Sequence, residues 1–191
     1  ELLKISKRSA KEMHANLERI LIDEVTLKKR IKEMAQEISQ DYADENLLVI
    51  GLLKGAAYFL TELTQSLTIP TQVDFIKASS YGAGTISSGH VDISFDTSRN
   101  IAGKNVLIVD DVVDTGITLH EVKKLFKNRN VKSVRIAAML DKQERRLIEV
   151  IPDYHGFVIP DEFVVGFGLD YNEDYRNLPY IGVLKREIYE K

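Results

Sequence analysis

Val106-Leu107-Ile108-Val109-Asp110-Asp111-Val112-Val113-Asp114-Thr115-Gly116-Ile117-Thr118-Leu119 decides the fold of this chain. Val106 to Val109 is an unbroken apolar run, as a strand covered on both faces of a parallel sheet requires. Asp110 and Asp111 follow where that strand is expected to end. Asp114, Thr115 and Gly116 come next, and a helical pattern opens at Ile117. Strand end, small-residue turn and helix start, in that order, is how α/β proteins build sites for phosphorylated ligands. The backbone N–H groups of residues 114 to 118 would cradle a phosphate, with the hydroxyls of Thr115 and Thr118 as further donors. Asp110 and Asp111 would repel that phosphate and suit sugar hydroxyls or a metal instead. Phosphate donors beside hydroxyl acceptors fit a ribose 5-phosphate.

Other phosphate motifs are missing: the sequence holds no G-x-x-x-x-G-K-[ST], and no G-x-G-x-x-G follows a strand. The 191 residues suffice for one domain with a substantial core. A net charge of −3, from 26 basic and 29 acidic residues, argues against a nucleic-acid surface as the main business. With no cysteine there is no disulfide, thiol nucleophile or cysteine metal site. No apolar run approaches the ~20 residues of a membrane span and no signal-peptide pattern opens the chain, so a cytoplasmic protein is expected.

Working outward, Leu17 to Asp23 reads as a lead strand, and Thr26 as the cap of a helix over Leu27 to Ser39. Leu47 to Leu53 is a buried strand, interrupted at Lys54-Gly55, and Ala56 to Ser66 an amphipathic helix. Thr71 to Ser80 is a strand leading into the Gly- and Ser-rich stretch that ends at His90, and Val91 to Phe95 is a returning arm. Leu119 to Asn128 forms the helix after the signature strand, and Val131 to Leu140 the next strand. Strands alternating with helices predict an α/β fold with a mostly parallel sheet flanked by helices. The tail from about 147 to 191 is loop-rich and aromatic, suited to a small hood, with the N-terminal strand a candidate contributor. Residues 1–16 are basic and weakly periodic and are expected to be disordered. The whole of 1–191 is read as a single domain.

The signature stretch resembles the phosphoribosyl pyrophosphate motif of the type I phosphoribosyltransferases along its whole length. Gly156-Phe157-Val158-Ile159-Pro160-Asp161-Glu162-Phe163-Val164-Val165-Gly166-Phe167-Gly168-Leu169-Asp170-Tyr171 and Asp174-Tyr175-Arg176-Asn177-Leu178-Pro179 narrow the resemblance to the hypoxanthine-guanine branch of that family. The matched blocks span roughly Leu47 to Leu184. The resemblance implies the type I phosphoribosyltransferase fold and purine salvage, a Mg²⁺-dependent transfer of ribose 5-phosphate from phosphoribosyl pyrophosphate to N9 of hypoxanthine or guanine. It implies Asp114 as general base, Asp110 and Asp111 on the ribose, and Thr115, Gly116 and Thr118 on the 5-phosphate. Lys54 and Gly55, in a turn that often holds a non-proline cis peptide, would bind pyrophosphate with Arg176. Ser80 and Tyr81 would join them from a lid loop, and Asp170 would help hold Mg²⁺. Lys142 would hydrogen-bond a purine 6-oxo group, Phe163 would stack on the base, and the backbone of Val164 would read its edge. A homodimer or homotetramer is implied, with small-molecule substrates and neither nucleic acid nor membrane as partner.

Two positions depart from the family pattern. Asp110 stands where this branch usually has Glu, one methylene longer. Glu162 stands where many relatives carry Lys before the stacking aromatic, which removes a positive charge near the base pocket and opens the ranking of guanine, hypoxanthine and xanthine. A regulatory protein on the same fold, sensing nucleotides and binding RNA, is the competing reading. Asp114 opposes it, because a sensor needs no base there. A xanthine-preferring enzyme is the nearest competitor among catalysts.

Overall fold

The computed structural model describes residues 10–80 and 91–190. The described residues begin with helix α1 (Ala10–Ala15), strand β1 (Leu17–Ile22) and helix α2 (Glu24–Asp41). Of residues 1–16, expected to be disordered, 1–9 lie outside the described residues, while 10–15 are helical and 13–16 dock on the tail. The His14 ring stacks on Tyr180 with centroids 5.2 Å apart, and Asn16 Nδ2 donates to Tyr175 Oη at 2.9 Å. The cap of α2 also differs from expectation. Asp23 caps the helix, its Oδ1 accepting from the Thr26 N–H at 2.8 Å, so the helix starts three residues earlier than a Thr26 cap would allow.

Strands β2 (Leu47–Leu52), β3 (Thr71–Ser80), β4 (Val91–Phe95), β5 (Asn105–Val113), β6 (Ser133–Asp141) and β7 (Tyr154–Val158) form one sheet in the order β4-β3-β2-β5-β6-β7. Every pairing is parallel except β3 with β4. Helices α3 (Ala56–Ser66) and α4 (Ile117–Asn128) follow β2 and β5, as short crossovers between parallel strands require.

The period-two alternation of β5 assigns its side chains to two cores. Leu107 and Val109 join Leu27, Ile31, Met34, Phe59 and Leu63 under α2 and α3. Val106 and Ile108 join Leu119, Val122 and Phe126 under α4. Burial on both faces is why Val106 to Val109 reads as a continuous apolar run. Each such side chain contributes about 1.5–3 kcal/mol of transfer free energy.

A second sheet, ordered β1-β9-β8, sits apart from the first and combines β1 with β8 (Val164–Val165) and β9 (Ile181–Leu184). A short helix α5 (Arg186–Tyr189) closes the chain. The hood has its own cluster of Leu17, Val165, Tyr175, Leu178 and Leu184. The N-terminal strand is therefore part of the hood. Conversely β7, inside the tail expected to form the hood, belongs to the main sheet, paired in parallel with β6 from Ala137↔Tyr154 to Asp141↔Val158.

Candidate active site

Parallel strands place all their C-terminal ends on one edge of the sheet, and three of those ends carry the chemistry. After β2 comes Leu53-Lys54-Gly55, in which the Leu53–Lys54 peptide is cis. After β5 comes Asp114-Thr115-Gly116, and Lys142 follows β6 directly. The carboxylates Asp110 and Asp111 do not follow β5, as the sequence suggested. They lie within it, because β5 keeps its ladder with β6 as far as Val113↔Asp141. A neighbouring strand of equal length extends a strand beyond the point where its own hydrophobicity stops.

That placement sets the electrostatics of the acidic pair. Asp110 Oδ1 accepts from the Asp111 N–H at 3.0 Å, and Asp111 Oδ1 from the Val112 N–H at 2.8 Å. Burial, reinforced by the neighbouring charge of Asp111, holds the Asp110 carboxyl well above the ordinary carboxylate range. Burial also raises Asp111, against the opposing effects of its hydrogen bonds and the Arg176 charge. Two adjacent carboxyls on a strand end offer an oxygen set suited to vicinal hydroxyls.

Gly55 packs directly over this pair. A Cβ there would lie 1.6 Å from Asp111 Oδ2, so no residue with a side chain fits without moving the carboxylate. Gly168, at φ +99, brings the hood onto the same turn: its Cβ would sit 2.1 Å from the Gly55 carbonyl oxygen. Main-sheet edge and hood thus meet backbone to backbone.

The turn after β5 encloses a cavity of about 90 Å³ lined by Asp110, Val113, Asp114, Thr115, Gly116 and Thr118, among others. Gly116, at φ +84, takes the N-cap position of α4 and brings no side chain of its own to it, while the Thr115 hydroxyl accepts from the Ile117 N–H at 3.5 Å. The helix start turns the positive end of its dipole toward the cavity. The turn is held from behind: the Thr115 carbonyl accepts from the Leu147 and Ile148 N–H groups at 3.0 and 3.2 Å. Arg146 donates to the Asp114 carbonyl at 3.1 Å and pairs with the buried carboxylate of Asp141. Nothing in the local sequence marked Arg146 and Asp141 as supports of this turn, since only the tertiary fold brings them under it.

Asp114 faces the mouth of this cavity. The Arg145 Nε lies 2.8 Å from its Oδ1, yet the N–H is not aimed at that oxygen. Oδ1 is shielded from solvent and accepts no hydrogen bond among the described residues. Arg145 supplies opposite charge and covers this oxygen, so an incoming N–H would have to displace it. Arg145 was not singled out by the sequence; its place in the short 3₁₀ turn Gln143–Arg145 puts it there.

Lys142 is buried, and its Nζ donates to the Glu162 carbonyl at 2.7 Å. Desolvation is the main cause that lowers its pKa, with Asp114 and Asp161 acting against it. The Glu162 carboxylate pairs with Arg19 on β1 at 2.5 Å, so the acid that departs from the family pattern is neutralised by the hood's own strand. Phe163 stacks on Tyr189, centroids 4.7 Å apart and planes 21° apart, and meets Tyr171 edge-on at 5.7 Å. A base stacking on Phe163 must use its opposite face. Val164 is buried in β8 next to it.

Opposite the acidic pair, Arg176 donates to the Gly168 carbonyl at 2.7 Å and pairs with Asp170 at 2.9 Å. Lys54 pairs with Glu173 at 2.8 Å, and Glu173 also reaches Arg176 at 3.3 Å. Glu173 is a site residue that the sequence did not reveal. Ser80 is the last residue of β3; Tyr81 and the rest of the expected lid, through His90, lie outside the described residues. No group of three or more potential metal-binding His, Asp or Glu side chains occurs among the described residues. No helix among them is long and apolar enough to cross a membrane.

A phosphoribosyl transferase domain model matches residues 21–172. A hypoxanthine-guanine phosphoribosyltransferase of Streptococcus thermophilus is 44% identical over 179 residues, covering 94% of this chain and 99% of that protein. The bifunctional protein TilS/HprT of Listeria monocytogenes is 46% identical over 179 residues, but the chain spans only 28% of its length. Among solved structures, a hypoxanthine phosphoribosyltransferase from Staphylococcus aureus superposes with a TM-score of 0.91 at 42% identity, covering 94% of this chain and 97% of that one.

Proposed function

The chain belongs to the hypoxanthine-guanine phosphoribosyltransferase family, and from that premise we propose that it works in purine salvage. It transfers ribose 5-phosphate from phosphoribosyl pyrophosphate to N9 of hypoxanthine or guanine and releases pyrophosphate, giving IMP or GMP. The observation that carries this reading is Asp114, set between the phosphate turn and Lys142 on one sheet edge.

The roles follow from that arrangement. Thr115, Gly116 and Thr118 hold the 5-phosphate at the start of α4. Asp110 and Asp111 hold the ribose hydroxyls. Lys54, Gly55 and Arg176 take the leaving pyrophosphate, with Ser80 and Tyr81 expected to join them. Asp114 accepts the purine N7 proton and stabilises positive charge that develops on base and sugar. Lys142 donates to the 6-oxo group, which selects against adenine, whose 6-amino group is itself a donor. Phe163 stacks on the base from the face that Tyr189 leaves, and the Val164 backbone reads its edge. The Arg19 partner of Glu162 explains how an acid is tolerated beside this pocket.

Mg²⁺ fits the donor set: hard carboxylate oxygen from Asp170, close to the pyrophosphate cations, without an all-protein cage among the described residues. When bound with pyrophosphate oxygens it neutralises charge on the leaving group. The chain is proposed to assemble as a dimer or tetramer. The exposed Tyr58 of α3, beside a cavity of about 310 Å³ that Phe167 also lines, is an apolar surface such an assembly would cover. The reaction is proposed to run in the cytoplasm.

A product assay tests the function. Protein, Mg²⁺ and phosphoribosyl pyrophosphate are combined with hypoxanthine, guanine, xanthine or adenine in turn. Nucleotide from hypoxanthine or guanine, and little from adenine, is the expected result. Saturable phosphoribosyl pyrophosphate binding with no nucleotide from any base would overturn it in favour of a regulatory protein.

A further inference from the structure

Two cations, Lys54 from the turn after β2 and Arg176 from the segment before β9, approach one another at the mouth of the site, where like charges repel. Glu173 lies between them, with Oε2 2.8 Å from Lys54 and Oε1 3.3 Å from Arg176. We propose that Glu173 is the internal counter-ion of the pyrophosphate subsite: its carboxylate occupies the cations in the empty protein and is displaced when pyrophosphate binds. This rests on the reading that Lys54 and Arg176 receive pyrophosphate.

The two partners are held differently. The Arg176 side chain is only 19% exposed, against 63% for Glu173. It keeps its bonds to the Gly168 carbonyl and to Asp170 when Glu173 leaves. The backbone of Glu173 is anchored as well, its N–H donating to Asp170 Oδ2 at 2.9 Å. Only the carboxylate arm has to swing, and it swings from the solvent side. The Lys54 ammonium, 54% exposed, is the partner that travels from protein anion to ligand anion.

An ion pair this exposed is weak, so Glu173 tunes affinity and does not block the subsite. Removing its charge abolishes both the competition for the cations and the repulsion of a multiply charged ligand. The expected gain for pyrophosphate in Glu173→Gln is roughly three- to tenfold, the scale of an exposed pair and of unit charges a few ångström apart in water. A metal-ligand role for Glu173 predicts the opposite sign.

Calorimetric titration of inorganic pyrophosphate at fixed ionic strength, with Mg²⁺ and separately with a chelator, into wild type, Glu173→Gln and Lys54→Ala tests this. Tighter binding to Glu173→Gln in both media, with weaker binding to Lys54→Ala, is expected. Weaker binding to Lys54→Ala with equal or poorer binding to Glu173→Gln sinks the counter-ion proposal alone. Wild type and Lys54→Ala binding alike, or wild type not binding at all, overturns the pyrophosphate reading and the counter-ion with it.

Discussion

Replacing Gly55 by Ala sets a small local gain against a large geometric loss. Gly55 has φ −59 and ψ −41, a helical conformation that alanine adopts freely. On conformational grounds alone the change should stabilise the start of α3 by about 0.4–1 kcal/mol. The added Cβ, however, would fall 1.6 Å from Asp111 Oδ2 and 2.6 Å from its Cγ. To restore a 3.0 Å contact the carboxylate must retreat by roughly 1.4 Å. Asp111 is not a free surface arm: its Oδ1 is bonded to the Val112 N–H and its carboxyl to Asp110. Overpacking of this kind costs about 1–3 kcal/mol, so the net effect on stability is a modest loss. The effect on catalysis is larger, because a misplacement near 1 Å of a group that positions substrate costs on the order of 10²-fold. We expect Gly55→Ala to fold, with kcat/KM for nucleotide formation about 100-fold down and a Tm lowered by a few degrees. A double-mutant cycle with Asp111→Ala isolates the cause. If the collision is responsible, Gly55→Ala costs stability in the wild-type background and none, or a slight gain, beside Asp111→Ala. Activity of Gly55→Ala within threefold of wild type, or additive losses in the cycle, would refute the reasoning.

Asp114→Asn keeps the shape of the turn but removes the base, so kcat should fall by about 10²–10⁴ with little change in Tm; a loss below tenfold in steady-state assays counts against the base role. Asp110→Asn tests the buried acidic pair through pH. Because the folded-state pKa of Asp110 is raised, the native protein binds the extra proton from the ordinary carboxylate range upward, and its stability falls as pH rises through that window. The variant should therefore melt above wild type at pH 8 and coincide with it near pH 4, and calorimetric scans showing the reverse order would contradict the raised pKa. Chelating Mg²⁺ should abolish nucleotide formation while leaving Tm in the absence of substrate unchanged, since no carboxylate cage occurs among the described residues; a large Tm drop would reveal a structural metal.

The signature strand shows how far the linear code reaches. A parallel strand buried on both faces must be apolar at every position, so Val106 to Val109 announced the sheet, and the residues beyond it announced a turn and a helix start. Period and punctuation likewise located Ala56–Ser66, Thr71–Ser80 and Val91–Phe95 with the bounds the structure shows. Where an end depended on a neighbour, reading failed. The extension of β5 through Asp110 and Asp111 is imposed by β6, and the transfer of β7 to the main sheet is imposed by the same partner. The helix cap moved from Thr26 to Asp23 because two residues capable of capping compete, and only backbone geometry chooses between them.

For the site the division has one physical cause. Residue types at strand ends can be read in order along a chain, because the parallel sheet brings all those ends to one edge whatever the details. The placement of Asp114, Lys54, Lys142 and the phosphate turn at one edge was legible for that reason, while the roles expected of Lys54 and Lys142 came from the family resemblance. Contacts between segments far apart in sequence carry no local period. Arg145 beside Asp114, Arg19 on Glu162, Tyr189 on Phe163 and Glu173 between Lys54 and Arg176 were therefore decided by tertiary structure alone. The sequence determined which chemical groups stand at the edge of the sheet. Packing the hood onto that edge, through the close approach of Gly168 to Gly55, determined which charges they meet there.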